Sequence, residues 1–198
     1  MSKVKCSVFI AMSLDGYIAR EDGSIDWLMK ANELVPKGED GGYQAFISTV
    51  DTIVMGRRSF EKVVTFDSWP YSIPVIVLSQ HGIDISHALQ NTVSLSAEDP
   101  KSLVDRLSAQ GVKHLYVDGG ITIQRFLTAG LIEDMIITVI PVLLGKGRRL
   151  FGSLPSDIEL KLLETQAIGR GLVQMRYHVG SWHHAQNTCS YAHYQTGN

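Results

Sequence analysis

Three short segments of the sequence carry glycines, arginines and hydroxyl groups that could bind phosphate. They span residues 56–59, 78–81 and 118–122, and each follows an apolar run typical of a β-strand. Arginine offers a planar fork of donors to a phosphate, and serine adds a short donor. A helix that begins after a glycine turn directs unpaired N–H groups outward. Taken alone, each arginine is more simply explained as a charged side chain in solvent, and a pair of glycines is equally well explained as a structural turn. The three segments together nevertheless indicate a ligand with more than one phosphate.

The elements that position these segments follow a mainly strand–helix order. Apolar runs predict strands at 4–12, 52–55, 74–79, 92–95, 115–118 and 135–144, and an antiparallel hairpin at 160–168 and 172–179. Helices are predicted at 43–50, after residue 57, at 100–111 and at 120–130. This order predicts an α/β fold with a mixed, mainly parallel central sheet, helices on both faces and a C-terminal antiparallel hairpin. In such sheets, ligands collect outside the carboxyl ends of the strands, where all three segments lie.

Composition and charge exclude several classes of protein function. The chain has 198 residues, and 18 basic against 20 acidic side chains give a net charge of −2. That balance argues against a general nucleic-acid-binding protein, which needs a basic face. No apolar run reaches membrane-spanning length, the N-terminus lacks a signal-peptide layout, and Cys6 and Cys189 form no metal-binding pattern. We expect a cytoplasmic protein with one domain over residues 1–180 and a polar tail over 181–198.

Four segments, in order along the chain, resemble the dihydrofolate reductase-like superfamily. They are the opening loop at 13–19, the strand-to-helix segment at 53–60, the paired-glycine segment at 116–120 and the segment at 140–147. The last is most similar to the reductase half of the bifunctional riboflavin-biosynthesis deaminase/reductase. The sequence lacks the zinc-binding motif of the deaminase half, so the resemblance is to a stand-alone reductase.

The resemblance implies that the chain binds NADPH. It places Arg57 and Ser79 at the adenosine 2′-phosphate, Arg58 and Ser59 at the pyrophosphate from one helix start, and residues 119–122 at the pyrophosphate from the other. It also implies a cis peptide bond between the paired glycines, a form that is rare without proline. The full set of residues expected to bind the cofactor, including two apolar side chains that border the nicotinamide, is Ala11, Ile18, Gly56, Arg57, Arg58, Ser59, Leu78, Ser79, Val117, Gly119, Gly120, Ile121 and Thr122.

Hydride transfer to a C=N or C=O bond needs a proton donor, and three acids compete for that role: Asp26, Glu39 and Asp40. Asp40 has the better positional match to the acid of dihydrofolate reductases, just before the helix predicted at 43–50. Asp26 has apolar neighbours that could raise its pKa by burial, so we favour it narrowly as the catalytic acid. For each alone, an aspartate in solvent is the simpler interpretation. Asp15 is expected to shape its loop by capping backbone groups.

The resulting hypothesis is an NADPH-dependent reductase of a small heterocycle, pterin-like or a pyrimidine. Lys146, Arg148 and Arg149 could meet a substrate phosphate or be solvated, and we favour solvation. One alternative is a nucleotide-binding module of the same fold without catalysis. Another is a structural subunit in which residues 135–144 pair across a dimer, and a homodimer is compatible with either of the other two. We expect no metal, nucleic-acid or membrane partner.

Overall fold

The structure, a computed structural model, describes residues 3–180 of the chain. Ten strands are present in this part: β1 (Lys5–Ser13), β2 (Tyr17–Ala19), β3 (Thr52–Gly56), β4 (Val75–Leu78), β5 (Val93–Ser96), β6 (His114–Asp118), β7 (Asp134–Ile140), β8 (Arg148–Arg149), β9 (Leu160–Ile168) and β10 (Leu172–Val179). The α-helices of the same residues are α1 (Asp26–Ala31), α2 (Tyr43–Ile47), α3 (Arg57–Val63), α4 (Pro100–Ala109) and α5 (Gly120–Thr128). Short 3₁₀ turns lie at Asn32–Leu34 and His87–Leu89.

Eight of these strands form one sheet with the order β5-β4-β3-β6-β1-β7-β10-β9. The strands from β5 to β7 run parallel, and β10 is antiparallel to both β7 and β9. The predicted mixed, mainly parallel sheet with a C-terminal hairpin is therefore confirmed. Because β4, β3 and β6 are consecutive in the sheet, their carboxyl ends lie side by side along one edge. β2 and β8 form a separate two-stranded ribbon.

Helices cover both faces of the sheet, as expected, because successive strand residues point to opposite sides. On one face, α4 and α5 bury Leu103 and Phe126 against the strands. On the other face, α2 and α3 bury Phe46 and Phe60 against Tyr116 and neighbouring apolar side chains. A smaller third cluster forms around Trp27 of α1. The face of the sheet that α2 and α3 cover also carries the polar groups described below.

The start of α4 shows how local sequence determines a helix boundary. The Asp99 side chain accepts hydrogen bonds from the backbone N–H groups of Lys101 and Ser102 at 3.0 and 3.1 Å. Pro100 occupies the first helical position, where a missing N–H costs nothing. This cap is the one that the sequence predicts. In contrast, α2 ends at Ile47, short of the predicted residue 50.

Residues 135–140 of the segment predicted as a strand lie inside the sheet and not at its edge, and residues 141–144 follow the strand as a loop. β7 ends at Ile140 and pairs with β1 on one side and β10 on the other, so both of its hydrogen-bonding edges are occupied. Backbone pairing of β7 with a second chain is therefore excluded, and the homodimer stays a prediction. The expected tail at 181–198 lies outside the described residues. Within residues 3–180, no helix is long and apolar enough to cross a membrane.

Candidate active site

Two glycine turns pack against each other at the carboxyl edge of the sheet. β3 and β6 are parallel neighbours, with Met55 opposite Asp118, so the turns after them are adjacent. A Cβ atom on Gly119 would collide with Ser59 Oγ, and one on Gly56 would lie 2.8 Å from Thr122 Oγ1. Gly119 also has a φ of +89°, a conformation that other residues rarely adopt. The start of α5, which no side chain caps, therefore lies beside the hydroxyl groups of Ser59 and Thr122.

A third wall comes from the ribbon of β2 and β8. A Cβ atom on Gly120 would lie 2.9 Å from the carbonyl oxygen of Arg149 and 3.0 Å from Ile18 Cδ1. Ile18 therefore lies against the paired-glycine turn, and its expected place beside the nicotinamide stays a prediction. The peptide bond between Gly119 and Gly120 is trans, as is every peptide bond in the described part of the chain, so the expected cis bond is not present.

The groups expected at the 2′-phosphate lie at the same edge. Leu78 at the end of β4 is in register with Gly56, so Ser79 follows beside the first glycine turn. Ser79 Oγ donates to the carbonyl of His81 at 2.6 Å. Arg57 Nε donates to Glu61 Oε1 at 2.6 Å across one helical turn, and both side chains are about half exposed. An exposed pair of this kind contributes little stability, so Arg57 can exchange Glu61 for a phosphate.

The two carboxylates proposed as catalytic acids are exposed and ionised. Arg20 binds Asp26 at 2.6 Å and lowers the pKa of that carboxyl to about 2. Asp40 accepts the N–H groups of Gln44 and Gly42 at 2.7 and 2.9 Å, and these bonds lower its pKa. The expectation of a raised pKa for Asp26 is therefore wrong. Its neighbour Trp27 is buried, but the Asp26 side chain points to solvent and to Arg20.

An acid that the sequence analysis placed only in a turn has the expected property. Asp118 ends β6 on the same face as Tyr116, and burial raises the pKa of its carboxyl to about 6. The Gly119 N–H and the Tyr116 hydroxyl, 3.5 Å away, oppose this rise only in part. Burial and the charge of Asp118 together raise the pKa of the phenols of Tyr43 and Tyr71. The alternation of residues along β6 was the available signal, because it places Asp118 on the face covered by α2 and α3.

Ala11 lies on the same face of the sheet as Asp118. Ser7 of β1 is in register with Tyr116 of β6, so alternate residues of β1 follow the same side toward the carboxyl edge. Ala11 packs against the cluster around Trp27. The structure thus brings Ala11, Ile18, the two glycine turns and Asp118 to one end of the sheet.

Asp15 closes this end by joining two loops. Its carboxylate accepts the Ser13 hydroxyl at 2.6 Å and the N–H groups of Leu144 and Gly145 at 3.0 and 2.7 Å. These bonds, led by that from Ser13, lower its pKa to about 2. The expected role of Asp15 in capping backbone groups is confirmed.

The basic residues after β7 hold the ribbon of β2 and β8. Arg149 lies over the Tyr17 ring, 4.7 Å from its centroid, and donates to the Tyr17 hydroxyl. Lys146 pairs with Glu21 at 3.1 Å, and Arg148 donates to the Glu21 carbonyl. These contacts give the three side chains a structural use at the surface.

Comparison with known proteins identifies the family of this chain. The family model of the RibD C-terminal domain matches residues 4–174. The chain belongs to this family. A protein of Bacillus subtilis (strain 168), the uncharacterized protein YwjB, is 36% identical over 175 residues, which cover 87% of this chain and 97% of YwjB. In this RibD C-terminal domain, the paired-glycine turn and the strand-to-helix turn after β3 both fall inside the matched region.

Solved structures show the same fold. A putative riboflavin biosynthesis protein from Shewanella sp. PV-4 is 40% identical and superposes with a TM-score of 0.83, covering 90% of this chain and all of that one. Dihydrofolate reductase from Enterococcus faecalis, solved in complex with NADP(H), is 15% identical with a TM-score of 0.58, covering 91% of this chain and 99% of the reductase. The dihydrofolate reductase-like fold of this RibD C-terminal domain is thereby established.

Proposed function

We propose that this chain is an NADPH-dependent reductase of a small nitrogen heterocycle, in which Asp118 supplies the proton. The main observation behind this proposal is that the two packed glycine turns lie at the same edge of the sheet as Asp118, a half-buried acid whose pKa is raised to about 6. Family membership supports a reductase, and the riboflavin-related description of the Shewanella protein supports a heterocyclic substrate. The NADP(H) complex of the Enterococcus reductase supports the cofactor.

The residues at the two turns fit the phosphates of a dinucleotide. A side chain at Gly119 or Gly56 would occupy the space beside Ser59 and Thr122, so glycine keeps that space open to a ligand. The uncapped start of α5 favours an anion, because its N–H groups and dipole point outward. Ser59, Thr122 and Arg58 would hold the pyrophosphate, and Arg57 with Ser79 would hold the 2′-phosphate. When bound, NADPH would supply the hydride.

Asp118 would hold and deliver the proton. A carboxyl group with a pKa near 6 is protonated in part of the molecules at neutral pH, and general acids work best when their pKa lies near the operating pH. The Tyr43 and Tyr71 phenols stay neutral in this setting, so they can orient a substrate by hydrogen bonds without adding charge. Asp26 and Asp40 lack this property, because both are held ionised by their partners.

Two buried indole N–H groups flank the site and have no hydrogen-bond partner within residues 3–180. They are Nε1 of Trp27 and Nε1 of Trp69. Trp27 packs in the same cluster as Ala11, and Trp69 packs edge-on against Tyr71 with ring centroids 5.3 Å apart. Buried polar groups without partners are uncommon in folded proteins. We infer that these two groups donate to ring nitrogens or carbonyl oxygens of the substrate.

The test is a turnover assay that follows the loss of NADPH absorbance with pterins, folates and aminouracil pyrimidines as substrates. We expect turnover with one of these classes, and slower turnover when NADH replaces NADPH. Fluorescence quenching in the same samples measures cofactor binding separately. Binding of NADPH without turnover of any substrate would support the nucleotide-binding module instead, and failure to bind either nucleotide would overturn the proposal.

A further inference from the structure

A cavity lies on the same sheet face and extends to the amino ends of the parallel strands. It has a volume of about 430 Å³, a size suited to a small-molecule ligand, and it lies between α2 and the strands β7, β10 and β9. Its walls include residues from the starts of three parallel strands, among them Lys5, His114 and Asp134. None of the residues proposed to bind NADPH lines it, and neither does Asp118. The cavity therefore shares no residue with the reductase site but lies beside it, because the ring of Phe9, which lines the cavity, packs against Tyr43 with ring centroids 5.5 Å apart.

The charges on the cavity floor are already compensated. Asp134 Oδ2 accepts Lys5 Nζ at 2.9 Å and Arg176 Nη2 at 3.3 Å. His114 Nε2 lies 2.8 Å from Ser7 Oγ, and His114 Nδ1 lies 2.9 Å from the carbonyl oxygen of Thr49. A phosphate would meet the Asp134 and Glu164 carboxylates as well as the two cations, so the cavity does not favour a strongly charged ligand.

One donor and one acceptor remain available side by side. Arg176 of β10 and Glu164 of β9 are directly opposite in the antiparallel register, and both line the cavity. Glu164 makes no hydrogen bond or ion pair within residues 3–180, and Asp134 engages only Nη2 of Arg176. Side chains directly opposite in such a pair lie within contact distance on one face. They can bind a ligand that has an N–H next to a C=O.

The remaining walls suit a flat and rigid ligand. Phe9 and Phe46 present aromatic surface with ring centroids 5.1 Å apart. The Gln174 amide is locked, because Nε2 donates to the Gly41 carbonyl at 2.9 Å and to Thr138 Oγ1 at 3.0 Å. Gln166 Nε2 donates to Gln174 Oε1 at 2.8 Å, which leaves the Gln166 oxygen as a further acceptor. A fixed polar wall opposite aromatic rings favours a planar heterocycle.

We propose that this cavity is a second binding site, for a neutral planar lactam whose N–H donates to Glu164 and whose C=O accepts from Arg176. The lactam supplies an adjacent donor and acceptor and needs no countercharge. It therefore binds without breaking the pairing of Lys5, Asp134 and Arg176.

Calorimetric titration of the NADPH-saturated chain with 2-quinolone tests this site. The matched probe is N-methyl-2-quinolone, which lacks the N–H, and the anionic probes are benzoate and inorganic phosphate. We expect 2-quinolone to bind once per chain, at least tenfold more tightly than any of the other three. Glu164→Gln and Ala45→Phe, which fills the cavity from α2, should each raise its Kd at least tenfold. Arg170→Gln, at the exposed turn of the same hairpin, should not change it.

Several outcomes would overturn the proposal. They are equal binding of the N-methylated compound, tighter binding of either anion, and unchanged 2-quinolone binding in folded Ala45→Phe. Loss of 2-quinolone binding on NADPH saturation would place the compound at the carboxyl edge instead. If the wild type bound no probe and formed a dimer that Ala45→Phe dissociates, the cavity would be an interface between two copies of this chain. None of these readouts needs turnover, so the site can fail while the reductase proposal stands.

Discussion

Asp118 and Asp134 lie on the same face of the sheet, two strands apart, and differ in what surrounds them. Burial raises the pKa of Asp118 to about 6, because the nearby side chains are uncharged phenols. Burial acts in the same direction on Asp134, but Ser7, Lys5 and Arg176 outweigh it and lower the pKa of Asp134. The charge partners, and not burial alone, decide whether a carboxyl group holds a proton or an ion pair.

The two ends of the sheet differ in the same way. At the carboxyl edge, the α5 start has no side-chain cap, and the indole N–H of Trp69 has no hydrogen-bond partner within residues 3–180. At the amino edge, Asp134 Oδ2 is paired with Lys5 and Arg176, whereas Asp134 Oδ1 and Arg176 Nε are buried without a partner among the same residues. We expect the groups at the carboxyl edge to exchange with a ligand, and the ion pairs of Asp134 to contribute to folding. The four predictions below test this contrast.

The largest effect is expected for Asp118→Asn on turnover. A positioned general acid contributes roughly 10²- to 10⁴-fold to a rate, so kcat should fall by at least about 100-fold. In the wild type, kcat should decline as pH rises above about 6, where Asp118 loses its proton, and the variant should lose this limb. Stopped-flow or steady-state loss of NADPH absorbance measures both. Asp105→Asn, an exposed α4 carboxylate paired with Lys101, is the control.

If Asp118→Asn kept the full kcat and the decline of kcat above pH 6, Asp118 would not be the proton donor, and the proposed difference between Asp118 and Asp134 would be wrong. The proton would then come from water or from another group.

The next effect concerns Arg57 and the choice of cofactor. Arg57→Ala should weaken NADPH binding by roughly 10- to 100-fold, because a hydrogen bond to a charged group contributes about 1.5–3 kcal/mol. NADH binding should change little, since NADH has no 2′-phosphate. Fluorescence titration of both nucleotides checks this, with Arg125→Ala in the last turn of α5 as the control. Equal affinity of the wild type for the two nucleotides would contradict the assignment.

The fold and the cofactor edge were predictable because their signals are local. Apolar runs, glycine turns and the Asp99 cap depend on a few neighbouring residues, and parallel strands bring their ends to one edge automatically. Ser59 and Gly119 meet for this reason, although 60 residues of sequence separate them.

The acid was not predictable by the same means. The apolar neighbours of Asp26 suggested burial, but Trp27 and Asp26 point in different directions and Arg20 neutralises the carboxylate. The environment of Asp118 comes from Tyr43 and Tyr71, which belong to distant segments. Side-chain direction and long-range packing determine a pKa, and sequence neighbours do not report either.

Asp134→Asn should destabilise the fold. Breaking a buried ion pair costs about 3–5 kcal/mol, and we expect about 2 kcal/mol here because the Lys5 and Arg176 side chains are 34% and 43% exposed. A lowered pKa contributes stability above the unfolded value, which is lost as pH falls through the folded value. The difference between wild type and variant should therefore be full at pH 7 and shrink below about pH 4. Urea unfolding across this range measures it.

The control for that experiment is Asp105→Asn, whose partner Lys101 is 72% exposed, and which should change the unfolding free energy little. Similar losses in both variants would mean that the amino-edge pairing adds no more than a surface contact does.

The smallest expected effect is the change in unfolding free energy caused by Asp118→Asn. Its sign is opposite to that expected for Asp134→Asn, because Asp118→Asn should stabilise the fold. A raised pKa contributes stability at low pH that is lost as pH rises through the folded value, here from the ordinary 3.8 toward about 6. At pH 8 the wild type carries a half-buried charge that the asparagine variant lacks, whereas below pH 3.8 the Asp118 carboxyl is mostly protonated in both the folded and the unfolded chain. The variant should therefore be more stable than the wild type at pH 8 by about 1 kcal/mol, and nearly equal to it at about pH 3.5. For a domain of this size, that corresponds to a rise in Tm of roughly 2–4 °C. Calorimetry without cofactor at both pH values measures the difference, and a variant less stable at pH 8 would show that Asp118 serves the fold, as Asp134 does.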